Sequence, residues 1–145
     1  MKAAVVVLLI LCACIMPFVR ASTPTQIAEL SGNLAYMPNP PVAGQTEKFV
    51  ATFRNVGSVA VQVMNLDLVT DWGSTYYFPG VPHIVNPGSN YQFAAIQVPM
   101  PVSATGPHTF SQSVWIETSS SSGTWSSASE YHLGSVVIDI ANAAT

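Results

Sequence analysis

Past residue 14 the chain has no cysteine: its two thiols, Cys12 and Cys14, both fall in the apolar N-terminal stretch. A domain built from the rest must stand without disulfides. At roughly 120 residues that is feasible, because a single core of this size buries about two thirds of the unfolded surface. Thiol nucleophiles, zinc–thiolate centres and blue-copper sites go with the missing cysteine. Charge is also scarce, at 8 % of residues, against roughly 25 % in ordinary soluble domains. Of the four cations, Lys2 and Arg20 lie in the N-terminal stretch. That leaves Lys48 and Arg54 against Glu29, Glu47, Asp67, Asp71, Glu117, Glu130 and Asp139. Two cations make no basic patch, so nucleic acid is not an expected partner. Serine and threonine must solvate the surface, which suits an acidic exterior, a glycan coat, or a subunit largely covered by its neighbours. No asparagine stands in an Asn-x-Ser/Thr sequon, so any carried glycan would sit on Ser or Thr. Helical periodicity is missing as well, apart from residues 25–34, where Ile27, Leu30 and Leu34 fit a short helix.

What is present begins with a leader. Lys2 precedes an uncharged apolar run over residues 3–16, and Val19-Arg20-Ala21 offers small residues at the −3 and −1 positions. That order predicts a secretory signal peptide cleaved after Ala21. Two other readings stay open. Leu11-Cys12-Ala13-Cys14 approximates a lipoprotein box, and an uncleaved anchor would be the membrane's only hold on the chain. Against the anchor, a helix over residues 3–18 would reach about 24 Å, short of the ~30 Å hydrocarbon core, and Pro17 would disturb its end. The expected plan is a signal peptide over 1–21, an N-terminal extension over 22–33, a β-sandwich over 34–141 and a tail over 142–145. The expected location is the extracellular surface.

Beyond the leader, short alternating or β-branched runs are punctuated by Gly, Pro and Asn. Residues 32–37 form a first run, closed by Pro38-Asn39-Pro40-Pro41. In residues 47–56, Phe49, Ala51 and Phe53 share what is expected to be the core face. Asn55-Val56-Gly57-Ser58 reads as a turn. The phase then slips from Val59, Val61, Val63 to Met64, Leu66, Leu68, which predicts a β-bulge near Met64. Residues 71–78 are aromatic, and Asn86-Pro87-Gly88-Ser89 is a strong turn signal. A strand over 91–98 carries its own slip. Phe110, Val114 and Ile116 share a face in residues 108–117. Residues 119–123 read as an exposed polar loop, and residues 125–140 supply the last one or two strands. About seven strands with turns every 8–12 residues predict an all-β fold, an antiparallel sandwich of immunoglobulin-like type.

Pro41-Val42-Ala43-Gly44-Gln45 followed by Phe49-Val50-Ala51-Thr52-Phe53-Arg54-Asn55-Val56-Gly57-Ser58 resembles the opening of CARDB-like (cell-adhesion-related) immunoglobulin modules of bacterial and archaeal surface proteins. Val85-Asn86-Pro87-Gly88-Ser89 before Tyr91-Gln92-Phe93, and Gly106-Pro107-His108-Thr109-Phe110 after Val98-Pro99-Met100-Pro101, continue the pattern in order. The resemblance spans roughly residues 34–140. It implies an architecture and an outer-surface setting, and the family has no common catalytic site to carry over.

The chemistry-bearing residues are dispersed. His83, His108 and His132 lie in separate segments, and none is within five residues of another His or of a Cys. They read as structural, with no metal site and no cofactor expected. No serine stands in Gly-x-Ser-x-Gly, and the few carboxylates do not suggest a glycosidase pair held across a cleft. Asp67 and Asp71 could contribute to a Ca²⁺ site, but such a site wants six to eight oxygens. No enzyme is expected. The sharpest remaining candidate is the segment with Trp72, Tyr76, Tyr77 and Phe78, four aromatics in eight residues. It could cap one end of the core, stack on a sugar, or act as a subunit contact. The function expected first is a secreted structural or adhesion protein that self-associates into a filament or coat, or binds other surface proteins. Residues 22–31 are the expected reach to a neighbour. A glycan-binding module using the aromatic segment is the alternative.

Overall fold

The computed structural model describes residues 26–80 and 82–143, so the leader, the expected cleavage at Ala21 and residues 22–25 lie outside the described residues. Among the described residues there are nine strands and no helix. One sheet holds β1 (Leu30–Met37), β2 (Thr46–Asn55), β6 (Asn90–Gln92) and β7 (Ile96–Pro99). The other holds β3 (Val61–Thr70), β4 (Thr75–Tyr77), β5 (His83–Val85), β8 (Gly106–Thr118) and β9 (Ser129–Ile140). Every pairing between these strands is antiparallel.

Alternation decides which side of each strand is inside. In β2, Phe49, Ala51 and Phe53 are buried while Lys48 and Arg54 are exposed, as the period of two predicts. In β8, Phe110, Val114 and Ile116 are buried. The two inner faces meet at Phe49 and Phe110, stacked with centroids 5.3 Å apart. Phe78 and Phe93 meet at 6.0 Å and Phe53 and Phe93 at 5.8 Å, extending the core along its length. The expected bulge is there: the β3–β8 register shifts between Val63 and Asn65, so Met64 swings out and Leu66 and Leu68 point in.

Two expectations change. Within the segment 25–34, the described residues 26–34 do not form a helix, because β1 pairs with β2 from Leu30↔Asn55 to Met37↔Lys48. Leu30 and Leu34 are an even number of residues apart, so the pair fits a strand face as well as a helix face. Pairing with β2 settles the ambiguity. β1 therefore starts inside the segment read as an extension, and residues 27–29 are also bound at home. Glu29 O accepts from Val56 N and Gly57 N, and Ile27 O accepts from Ser58 N. Only glycine permits that approach, since a Cβ on Gly57 would lie 2.4 Å from Ile27 O. The second change concerns strand number. The predicted 91–98 strand is broken at residues 93–95 into β6 and β7, which lie along one edge of β2. Likewise β4 and β5 share one edge of β3.

Two turns lock together at Asn55, which is wholly buried. Its Nδ2 donates to Val59 O at 2.8 Å and Val85 O at 2.9 Å, and its Oδ1 accepts from Gly57 N at 3.0 Å. Its backbone N donates to Ser89 O, and its O accepts from Gly88 N, within the Asn86–Ser89 turn. On the opposite side of the sandwich, β1 and β9 run for 8 and 12 residues, β9 with a bulge at Leu133 where its register with β8 shifts. Among the described residues, neither has an outer partner strand, apart from the bridge of Ala141 to Val42 beyond the end of β9. The two meet at Gly32 and Leu133.

Candidate functional site

The aromatic segment does not present a single face. Trp72, half-buried, sets its ring edge-on to Phe110 at 5.3 Å and to His108 at 5.4 Å. Tyr76 is half-buried against the core, and Phe78 is 1 % exposed, so it offers no surface to a ligand. Of the four, Tyr77 alone is open, at 64 %. The alternation of β4 explains this: Tyr76 is in register with inward Leu68, and Tyr77 with Asp67 on the outer face.

Following that register outward shows a row that the sequence does not bring together. Tyr77 of β4 lies opposite Asp67 of β3, Asp67 opposite Ser113 of β8, and Ser113 opposite His132 of β9. A second row beside it joins Asn65, Trp115 and Glu130. Trp115 is 40 % exposed. Ser113 Oγ and His132 Nδ1 are 2.9 Å apart, and Asn65 Nδ2 donates to Asp67 Oδ1. Burial pushes the Asp67 carboxyl above the ordinary aspartate range; the Asn65 hydrogen bond opposes this, and the charge of Glu130 adds to it. Asp, Ser and His thus sit side by side, but with the hydroxyl in the middle. In a hydrolytic triad the imidazole stands between the two and is oriented by the carboxylate. Asp67 does not orient His132 here, so the row is arranged to hold polar groups in place. The one hint in the sequence was Trp115, an aromatic in the outward phase of a strand whose inward phase is Phe110, Val114 and Ile116.

The remaining histidines have local partners. His108 Nδ1 and Asp71 Oδ1 are 2.9 Å apart, and Thr109 N donates to Asp71 Oδ2. These contacts, the backbone one first, hold the Asp71 carboxyl below its ordinary range. His83 stacks on Tyr91 with centroids 3.9 Å apart. Asp67 and Asp71 therefore serve separate networks. Among the described residues, no group of three His, Cys, Asp or Glu is placed to hold a metal ion.

Among the described residues, two buried side-chain acceptors lack donors. Glu47, fully buried on the inward phase of β2, accepts from Val42 N through Oε1 at 3.0 Å, and its Oε2 has no partner. Gln112 Oε1 is likewise unpaired. It lines a cleft of about 130 Å³ with residues of β1 and β9, among them Gly32, Leu34, Leu133 and Gly134.

No protein-family model matches the chain, and no curated protein matches it. Among solved structures it is similar to the ApaA protein from Bordetella pertussis, with a TM-score of 0.52 at 16 % identity, covering 81 % of this chain and 98 % of that one. It is also similar to Spo0M, a sporulation control protein from Bacillus subtilis, with a TM-score of 0.43 at 13 % identity, covering 82 % of this chain and 51 % of that one. The first likeness concerns the fold alone, and the second is too distant to add to it.

Proposed function

We propose that this chain is a secreted, non-catalytic immunoglobulin-like structural or adhesion protein of the cell exterior that self-associates through its β1/β9 side. The observation that carries this reading is the unequal treatment of the two sides of the sandwich. One side is blunted, because its edge strands β4, β5, β6 and β7 are only three or four residues long and Pro79, Pro82, Pro87 and Pro99 lie among them. Short, interrupted, proline-bearing edges resist pairing with another chain. The other side carries two longer edges with no proline: β1 has no charged residue, while β9 bears a bulge at Leu133 and the carboxylates of Glu130 and Asp139. Gln112 adds a buried acceptor without a donor in the cleft between them. The scarcity of charge and the CARDB-like motif support a surface setting. Of residues 22–31, the stretch expected to reach a neighbour, residues 27–31 are bound to the subunit's own fold, so the edge is assigned that role.

Sedimentation velocity of the full chain over a wide concentration range tests the reading. The wild type is expected to associate as concentration rises. Ala35→Lys on β1 and Val137→Lys on β9, both at exposed edge-strand positions, should keep the wild-type melting temperature and stay monomeric. A wild type that remains monomeric throughout, or variants that assemble equally well, would refute it.

A further inference from the structure

The outer face of the β3–β8–β9 sheet is a different surface from the edges discussed above, and its residues point to a ligand. Tyr77 and Trp115 stand two strands and two residues apart, about 12 Å between backbone positions at ordinary sheet spacings. Between and beside them lie Asp67, Ser113 and His132, in one row across three strands. Asn65 holds Asp67, and Ser113 holds His132, so the polar groups are fixed before any ligand arrives. We propose that this face binds a neutral saccharide chain, with sugar rings stacked on Tyr77 and Trp115 and hydroxyls hydrogen-bonded to Asp67 and His132, the latter held in place by the buried Ser113.

Three features select that ligand class. Exposed aromatic faces separated by fixed polar groups match a polymer whose rings present apolar C–H faces and polar rims. A protein contact calls for the reverse, an apolar centre depleted in Asp, Glu and Ser with a polar rim. Charge narrows the class further. Among the described residues, the face carries Asp67, Glu117, Glu130 and Asp139 but no cation, because Lys48 and Arg54 lie on the outer face of the other sheet. Anionic glycans meet four carboxylates and nothing to pair with, while a neutral hydroxyl donates to a carboxylate in a strong, charge-assisted bond. Asp67 also keeps its carboxyl where burial disfavours the charge. A purely structural row would be served as well by asparagine, whereas a ligand-binding row uses the stronger acceptor. Of the sequence-predicted aromatic segment, this site uses Tyr77 alone.

Affinity electrophoresis of the full chain through gels containing hydroxyethylcellulose, laminarin or galactomannan, with polygalacturonate as the anionic comparison, tests the assignment. At least one neutral polymer should retard the wild type, and polygalacturonate should not. Trp115→Ala and Tyr77→Ala should each weaken retardation by about tenfold or more, the equivalent of one lost stacking face. Asp67→Asn should weaken it less, and Thr52→Ala, on the outer face of the other sheet, should bind as the wild type does. Thermal melts of each variant separate lost binding from lost folding. If no neutral polymer retards the wild type, or if Trp115→Ala and Tyr77→Ala bind undiminished, the proposal fails. It fails too if only polygalacturonate binds, or if Trp115 proves to be a contact to another protein.

Discussion

Asn55 joins β2 to two turns with three side-chain hydrogen bonds inside the core. Asn55→Ala would leave Val59 O and Val85 O buried without that donor, so a loss of about 2–4 kcal/mol is expected in urea unfolding. The sequence showed that Asn55 begins a turn; that its amide also reaches Val85, 30 residues away, only folding could show. Asp67 and Asp71 make opposite contributions to pH dependence. The Asp67 carboxyl is raised in the folded state, so its contribution is fully favourable below the ordinary aspartate range, around pH 4, and is lost as pH rises through its higher folded value. Asp67→Asn should therefore raise the melting temperature at neutral pH and leave it unchanged in acid. Asp71 is lowered, so its contribution is present above that range and lost as pH falls through its folded value. Asp71→Asn should therefore lower the melting temperature at neutral pH and leave it unchanged in acid, which flattens the acid limb of the stability curve. Melting curves of both variants against pH check the two signs together.

At Gly32, where β1 meets β9, there is no room for a side chain. A Cβ on Gly32 would stand 2.7 Å from Leu133 Cβ, a contact close to the backbone that no flexible side-chain tip can relieve. Gly32→Ala should cost about 1–3 kcal/mol, the usual range for overpacking. Adding Leu133→Ala would leave the two Cβ atoms in conflict, so the double variant should not recover the wild-type stability, as a thermodynamic cycle measured by urea unfolding would show. Legibility differed among the elements. β2 and the Met64 bulge could be read because a period of two forces an alternation, and a slip in that alternation has one simple cause. The break between β6 and β7 appeared in the sequence as a second slip, but whether a slip bends a strand or splits it depends on the neighbour it pairs with. β1 was harder to place, because Leu30 and Leu34 satisfied a helical and an extended period at once.

The whole molecule folds without cysteine beyond residue 14, so a reductant should leave its thermal unfolding midpoint unchanged, a direct check that the core alone holds the two sheets together. A midpoint lowered by reductant would mean that Cys12 and Cys14 take part in the stability of the folded chain. The sequence by itself determined the strand-rich pattern, the inward phases of β2 and β8, the turns around Asn55 and Asn86, and the scarcity of charge. Each of these follows from residues close together in the chain, through the two-residue period, turn chemistry or plain composition. Only the tertiary structure decided that Trp72, Tyr76 and Phe78 serve the core while Tyr77 faces out. The same is true of the alignment of Asp67, Ser113 and His132 across three strands, and of the two long edges left along one side. The physical reason is register: hydrogen bonding between strands distant in sequence sets which outward residues become neighbours, and no local pattern encodes that pairing.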